Sequence, residues 1–158
     1  MRKLIAFIFS LSFILTLTAC MNAKETQHTV YSFCGENGCF EISSGTIVLS
    51  DSEDIFYGGN LRVSPSSSIS NITSYKATFY IMIDSQQKTI FANEFHNYSS
   101  AELVVIDLGK KVSKHPDISN KFKNIEEENA KFWCELEVSD TEGNRSYYTI
   151  VLKLVKIL

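Results

Sequence analysis

The side chains able to do chemistry in this chain are few and scattered. Four are thiols: Cys20, Cys34, Cys39 and Cys134. Cys34 and Cys39 flank Gly35-Glu36-Asn37-Gly38, which has two glycines and an asparagine, the chemistry of a tight turn. Extended residues are expected before it, Tyr31–Phe33, and after it, Phe40–Ile42. If these pair, the two thiols face each other across the hairpin near disulfide distance, and Cys34–Cys39 is the expected bridge. Closing so short a loop contributes about 2 kcal/mol in the chain-entropy model. The C-x4-C spacing is not the C-x-x-C of a redox pair, and zinc would need two further ligands that the spacing does not offer. Cys134 is then a free, buried thiol. The competing arrangement joins Cys34 or Cys39 to Cys134.

Histidines and carboxylates add little. His28 and His115 fall in polar stretches. His96 follows Glu94 at the end of an expected strand, but a lone Glu-x-His pair is common by chance. Asp51, Glu53 and Asp54, helped by Asp140 and Glu142, carry the hard oxygen ligands that suit Ca²⁺. Their spacing is not that of an EF-hand, and acidic turns are mostly just solvated. The G-x-S-x-G elbow, H-E-x-x-H, a Gly-rich phosphate loop and S-x-x-K are missing from the sequence. The expectation is a protein that is not an enzyme, with no catalytic residue, no metal site and no cofactor.

Cys20 stands in a more specific setting. Arg2 and Lys3 precede an apolar run, Leu4 to Leu17, broken only by Ser10, Ser12 and Thr16. This order is that of a secretory signal peptide. The run is shorter than the roughly 20 residues of a membrane span. Leu17-Thr18-Ala19-Cys20 resembles the bacterial lipobox. The resemblance implies that the Cys20 thiol receives a diacylglycerol, that the chain is cut before Cys20, and that acyl chains such as palmitate hold it at a membrane. Two chains anchor stably where one does so only marginally. Membrane lipid is thus the first expected partner, and the bacterial cell envelope, outside the cytoplasm, the expected location. Removing residues 1–19 takes Arg2 and Lys3 with it. Lys+Arg falls from 15 to 13 against 18 acids, and the formal charge moves from −3 to −5. Nucleic acid rewards clustered positive charge and is not an expected partner.

The elements that must position these residues read as short strands. Residues 20–29 are the lipidated cysteine and a polar tether; residues 30–158 are expected to form one β-domain. Thr46–Ser50 and Leu61–Val63 are strand-like. Pro65–Ser70 is a Ser-rich loop. Tyr75, Ala77, Phe79, Ile81 and Ile83 alternate with polar neighbours at period two, and a turn at 85–87 leads into Lys88–Phe95. Ala101–Leu108 favours strand through its Val-Val-Ile centre. Gly109–Lys123 holds five lysines against Asp117 and reads as a solvated loop, with Pro116 opening a short helix; such a patch would also lean on anionic lipid or wall polymer. Phe132, Cys134, Leu136 and Val138 alternate again, Asp140–Asn144 is a turn, and Ser146–Leu158 is a closing strand whose two partly apolar faces imply a central position.

Many short strands without a long amphipathic helix point to an antiparallel sandwich or barrel. Glu128-Asn129-Ala130-Lys131-Phe132-Trp133-Cys134 resembles the acidic-x-Ala-x-Tyr-x-Cys signature of an immunoglobulin F strand, with Phe132 in the tyrosine place. Val138–Asn144 resembles the F–G turn of bacterial immunoglobulin-like modules. The resemblance implies an all-β, immunoglobulin-like antiparallel β-sandwich. Tyr57, Tyr80, Trp133 and Tyr147 are the aromatic residues suited to holding a ligand if a sheet face leaves them open. The function expected is a non-enzymatic, membrane-anchored binding or adhesion module for a protein or glycan. The alternative is an envelope-protective inhibitor or accessory subunit that captures another protein.

Overall fold

The computed structural model describes residues 28–64, 72–96, 105–122, 125 and 130–158. The lipobox-like Leu17–Cys20, the expected tether up to residue 27, the expected Pro65–Ser70 loop, and residues 101–104, 123 and 128–129 of the stretches above lie outside the described residues. The strands are β1 (Thr29–Glu36), β2 (Phe40–Leu49), β3 (Glu53–Tyr57), β4 (Asn60–Val63), β5 (Ile72–Ile83), β6 (Gln86–His96), β7 (Val105–Asp107), β8 (Lys110–Lys114), β9 (Lys131–Asp140) and β10 (Arg145–Lys156). One short helix, α1 (Asp117–Phe122), follows β8. Every pairing is antiparallel, in the order β6-β5-β9-β10-β1-β2-β3-β8, with β4 on β2 and β7 on β4.

β10 joins two layers. Its residues 145–152 pair with β9 and its residues 153–156 with β1. The layer β6-β5-β9-β10 has the C′-C-F-G order of a variable-type immunoglobulin sheet. In the layer β1-β2-β3-β8, β3 stands between β2 and β8, and β4 and β7 extend from β2. The layers pack face to face through phenylalanines. Phe33 of β1 lies 5.0 Å from Phe132 of β9, and Phe56 of β3 lies 5.0 Å from Phe79 of β5, ring centre to ring centre. Edge-to-face pairs at these distances add about 0.5–1.5 kcal/mol each beyond area burial. The result is an all-β, sandwich-like fold.

The inward faces follow the period-two patterns. Tyr75, Ala77, Phe79, Ile81 and Ile83 are buried on β5, and Phe132, Cys134, Leu136 and Val138 on β9. Gly45 of β2 lies opposite Phe33, and a Cβ there would stand 2.1 Å from the Phe33 ring. The missing side chain is therefore what lets the central ring lie flat over β2. Gly59, at φ +80°, bends the chain between β3 and β4, and a Cβ there would meet the Ser43 carbonyl at 2.3 Å. The β5–β6 hairpin turns at Asp84 and Ser85, both at positive φ, one residue earlier than the sequence suggested.

β10 leaves β9 after the Leu152–Phe132 pair, while β9 begins at Lys131. A cleft of about 450 Å³ opens where the strands part, with Tyr31, Phe132, Leu152 and Leu154 in its lining. At the opposite side of the sandwich, β6 and β8 approach without a shared ladder. The Lys111 ammonium donates to the Ile90 carbonyl at 3.3 Å, and the Asn93 amide to the Leu108 carbonyl at 3.3 Å.

The 109–123 stretch is not the solvated loop its lysines suggested. β3 needs a partner on its second edge, because unpaired strand groups beside a core are costly. β8 supplies it, with Ile55 opposite Val112. α1 then buries Ile118 and Phe122. Asp54 fastens this stretch. Its carboxylate, wholly buried, accepts from the backbone N–H groups of Ile118 and Ser119, both at 2.9 Å. These are donors at a helix start that have no partner within the helix. Asp54→Ala leaves both buried donors unpaired and is expected to cost about 3 kcal/mol in a urea unfolding series. Asp54→Asn, which keeps one acceptor oxygen, costs less. A loss below about 0.5 kcal/mol, the level of an ordinary surface change, would show that Asp54 does not hold α1.

Candidate binding face

Outward residues of β10, β9, β5 and β6 stand in register as rows across one sheet. The first is Tyr147–Glu137–Lys76–Glu94, the next Thr149–Glu135–Thr78–Ala92, and the third Val151–Trp133–Tyr80–Thr89. The face exists because β10 is apolar on both sides while the sandwich covers only one. Ile150 and Leu152 are buried, whereas Tyr147, Val151 and Val155 are 61%, 52% and 48% exposed. β10 is central, as its two-sided hydrophobicity implied, but its outer face is open.

The third row forms the apolar centre. Val151 stands open at one end, Trp133 is half-buried in the middle, and Tyr80 is 8% exposed at the other. The Trp133 indole N–H is out of contact with solvent and has no hydrogen-bond partner. Burial, and behind it the Glu135 carboxylate, push the Tyr80 hydroxyl above its ordinary pKa, so it stays a neutral donor. A charged rim lies one and two rows away, where Arg145 pairs with Glu137 at 2.9 Å. An aromatic and aliphatic row inside a polar rim is the general build of a recognition surface.

Of the four aromatic residues singled out in the sequence, the structure brings Tyr80, Trp133 and Tyr147 to this face. Tyr57 lies in the other layer, where its hydroxyl donates to Asp107 at 3.1 Å. The acidic residues do not assemble. Asp51, Glu53 and Asp54 lie at the lower end, where β1 begins and β10 ends; Asp140 and Glu142 lie in the turn at the upper end. Asp140 accepts from the Glu142 and Asn144 backbone N–H groups and the Asn144 amide, which hold its carboxyl below the usual range. Glu94 and His96 are 3.3 Å apart and both more than half exposed. Among the described residues no three His, Cys, Asp or Glu side chains are grouped to hold a metal. Of the lysines around 110–121, Lys111 and Lys121 both pair with Asp117, and the Lys111 bond holds that carboxyl below its ordinary pKa.

One cluster was missed in the sequence. The His115 Nδ1 lies 3.4 Å from the Asp54 carboxylate and 3.2 Å from the Ser119 hydroxyl. Serine, histidine and aspartate meet here, but both partners sit on the same ring nitrogen. A nucleophilic relay needs the carboxylate on one nitrogen and the hydroxyl on the other. Ser119 is also buried. The cluster ties α1 to β3. The signal for it was Asp54 itself, two residues before Phe56 and hence on the inward side of the same strand.

The expected Cys34–Cys39 bridge is not formed: both thiols stand free. The reason is the hairpin's register. Gly35 pairs with Ile42 and Glu36 with Glu41, so the ladder runs two residues further toward the turn than the thiol pairing requires. The Asn37 side chain closes the turn, accepting from the Cys39 and Phe40 N–H groups at 3.1 and 2.9 Å. Cys39 thus lies in the turn, while Cys34 is in the ladder, opposite Lys153 of β10. Cys134 is fully buried in the core, and burial pushes its thiol far above the ordinary value. In alkylation of the reduced protein, Cys34 is expected to react first and Cys134 only after unfolding, because the thiolate is the nucleophile. Labelling of Cys134 at the rate of Cys34 under native conditions would contradict this placement. Compared with protein-family models, with curated proteins and with solved structures, the chain matches none.

Proposed function

We propose that this protein is a lipid-anchored component of a bacterial envelope whose β-sandwich is a non-enzymatic binding module, holding a protein or glycan on the outward face of β5, β9 and β10. Anchoring rests on Leu17-Thr18-Ala19-Cys20 following the apolar run. Binding rests on one observation above the others: the row of open Val151 and half-buried Trp133, with exposed Tyr147 two rows above it, on a sheet whose other face is filled by the core. Aromatic rings stack on sugar faces and anchor protein interfaces at little entropic cost. The single meeting of serine, histidine and aspartate among the described residues is spent on fastening α1, which favours recognition over catalysis.

Two experiments test the halves of this reading. Cys20→Ala is expected to abolish incorporation of labelled acyl chains and to leave the chain uncut before residue 20. Normal labelling of that variant would overturn the anchor. For the face, a photoreactive p-benzoylphenylalanine in place of Tyr147 is expected to yield a covalent adduct in intact cells. The same group in place of Val112, similarly exposed on the other layer, is expected to yield none. Val151→Glu, a charge on the open row, is expected to reduce the adduct about tenfold. Equal adducts at both positions would dismiss the face. An adduct with an envelope hydrolase that loses activity would favour the inhibitor alternative.

A further inference from the structure

The two ends of the folded chain are stapled together. Val30 donates its N–H to the Leu158 carbonyl at 3.1 Å, and Ile157 donates to the Val30 carbonyl at 2.7 Å. The chain that leads back to Cys20 therefore leaves the sandwich beside the last residues of β10. Those residues are unusually apolar for a surface: Val155 is 48% exposed, Ile157 59% and Leu158 71%. Interleaved with them are the exposed lysines Lys153 and Lys156, and Lys131 stands nearby at the start of β9. No Asp or Glu occurs from residue 145 to 158. The cleft between lower β10 and β9 has Lys131 and Lys156 in its lining.

We propose that this lower end of β10 is a membrane-docking patch, made to lie on an anionic lipid surface. The proposal rests on the lipid anchor read at Cys20 and goes beyond it, from attachment to orientation. Residues 20–28 span at most about 30 Å when extended. The end bearing Thr29 and Leu158 is thus held close to the headgroups whatever path the tether takes. Apolar side chains ringed by lysines suit that place: the former enter the headgroup boundary, while the ammonium groups stay with the lipid phosphates on flexible stems. Acids also stand at this end: Asp51 in the turn after β2, Glu53 opposite Lys114 at the start of β3, both at least two strands from β10, and Asp84 in the β5–β6 turn; Glu126–Glu128 lie outside the described residues. The domain would therefore rest on its β10–β1 edge. The upper turns, and Tyr147 with them, point away from the membrane, leaving the recognition face free.

The test uses the processed protein purified from membranes and reconstituted in equimolar phosphatidylglycerol and phosphatidylcholine vesicles. With Trp133→Phe as background, Ile157→Trp supplies a reporter at the patch and Tyr147→Trp one at the far end. Lipids carrying a nitroxide on the acyl chain are expected to quench the indole at position 157 severalfold more than the one at position 147. Lys153→Glu with Lys156→Glu is expected to abolish that difference. Equal quenching at both sites, or a blue-shifted but unquenched reporter at position 157, would overturn the proposal, the latter because something other than lipid then covers the patch. Protection of Cys134 from alkylation verifies that each variant is folded. Mass measurement of residue 20 keeps the two readings apart. If Cys20 carries acyl chains but the reporter is not quenched, the patch falls and the anchor stands. If Cys20 is bare, sedimentation of the same protein with these vesicles, against phosphatidylcholine alone, decides the patch by itself.

Discussion

β10 divides its backbone hydrogen bonds between two partners, β9 along its upper part and β1 along its lower end. The rest of the architecture depends on this sharing. It places the β1-β2-β3 layer over the β5–β9 layer, so that Phe33 and Phe56 meet Phe79 and Phe132 in one core. It opens the cleft where β10 and β9 separate, since two strands that part cannot both fill the space between them. It also brings residues 30 and 158 into hydrogen-bond contact and so sets both chain ends at one edge.

The opposite side of the sandwich is closed by different means. β8 completes the free edge of β3, and β6 is tied to this side by the Lys111 bond to Ile90 and the Asn93 bond to Leu108. α1 cannot supply partners for its own first N–H groups, and a six-residue helix has little intrinsic stability. Asp54 meets that need from beneath. A buried carboxylate is costly unless it is hydrogen-bonded. Here the two backbone N–H groups at the α1 start and His115 satisfy it, and the carboxylate serves as a fastening between elements far apart in the chain.

Among the described residues, these two closures leave the outward face of the β5–β9–β10 sheet open along β10. Its rows grade from charged at the upper end to aromatic and aliphatic at the middle, then to lysine and aliphatic residues toward the lower end of β10. One strand contributes to each zone because a β-strand exposes every second residue along its whole length. Recognition and membrane docking, as proposed, therefore draw on a single strand without sharing a side chain.

Local pattern carried a good part of this. The alternation in 75–83 and 132–138 located the inward faces of β5 and β9, including buried Cys134, and Asp140–Asn144 declared its turn by residues that bond their own backbone. Two-sided hydrophobicity in 146–158 marked a central strand. These are properties of neighbouring residues, and the sequence by itself determines them, as it does the lipobox-like order ending at Cys20. Tertiary structure alone decided which edges found partners and which faces were left open. The turn closed by Asn37 slid the hairpin ladder and parted Cys34 from Cys39. The need of β3 for a second partner turned a lysine-rich stretch into β8. Asp54 became a buried acceptor for Ser119, 65 residues away, and the outer side of β10 stayed bare because no other element reaches it among the described residues. Each of these outcomes depends on groups that meet only after long loops close, and spacing along the chain holds no record of such meetings.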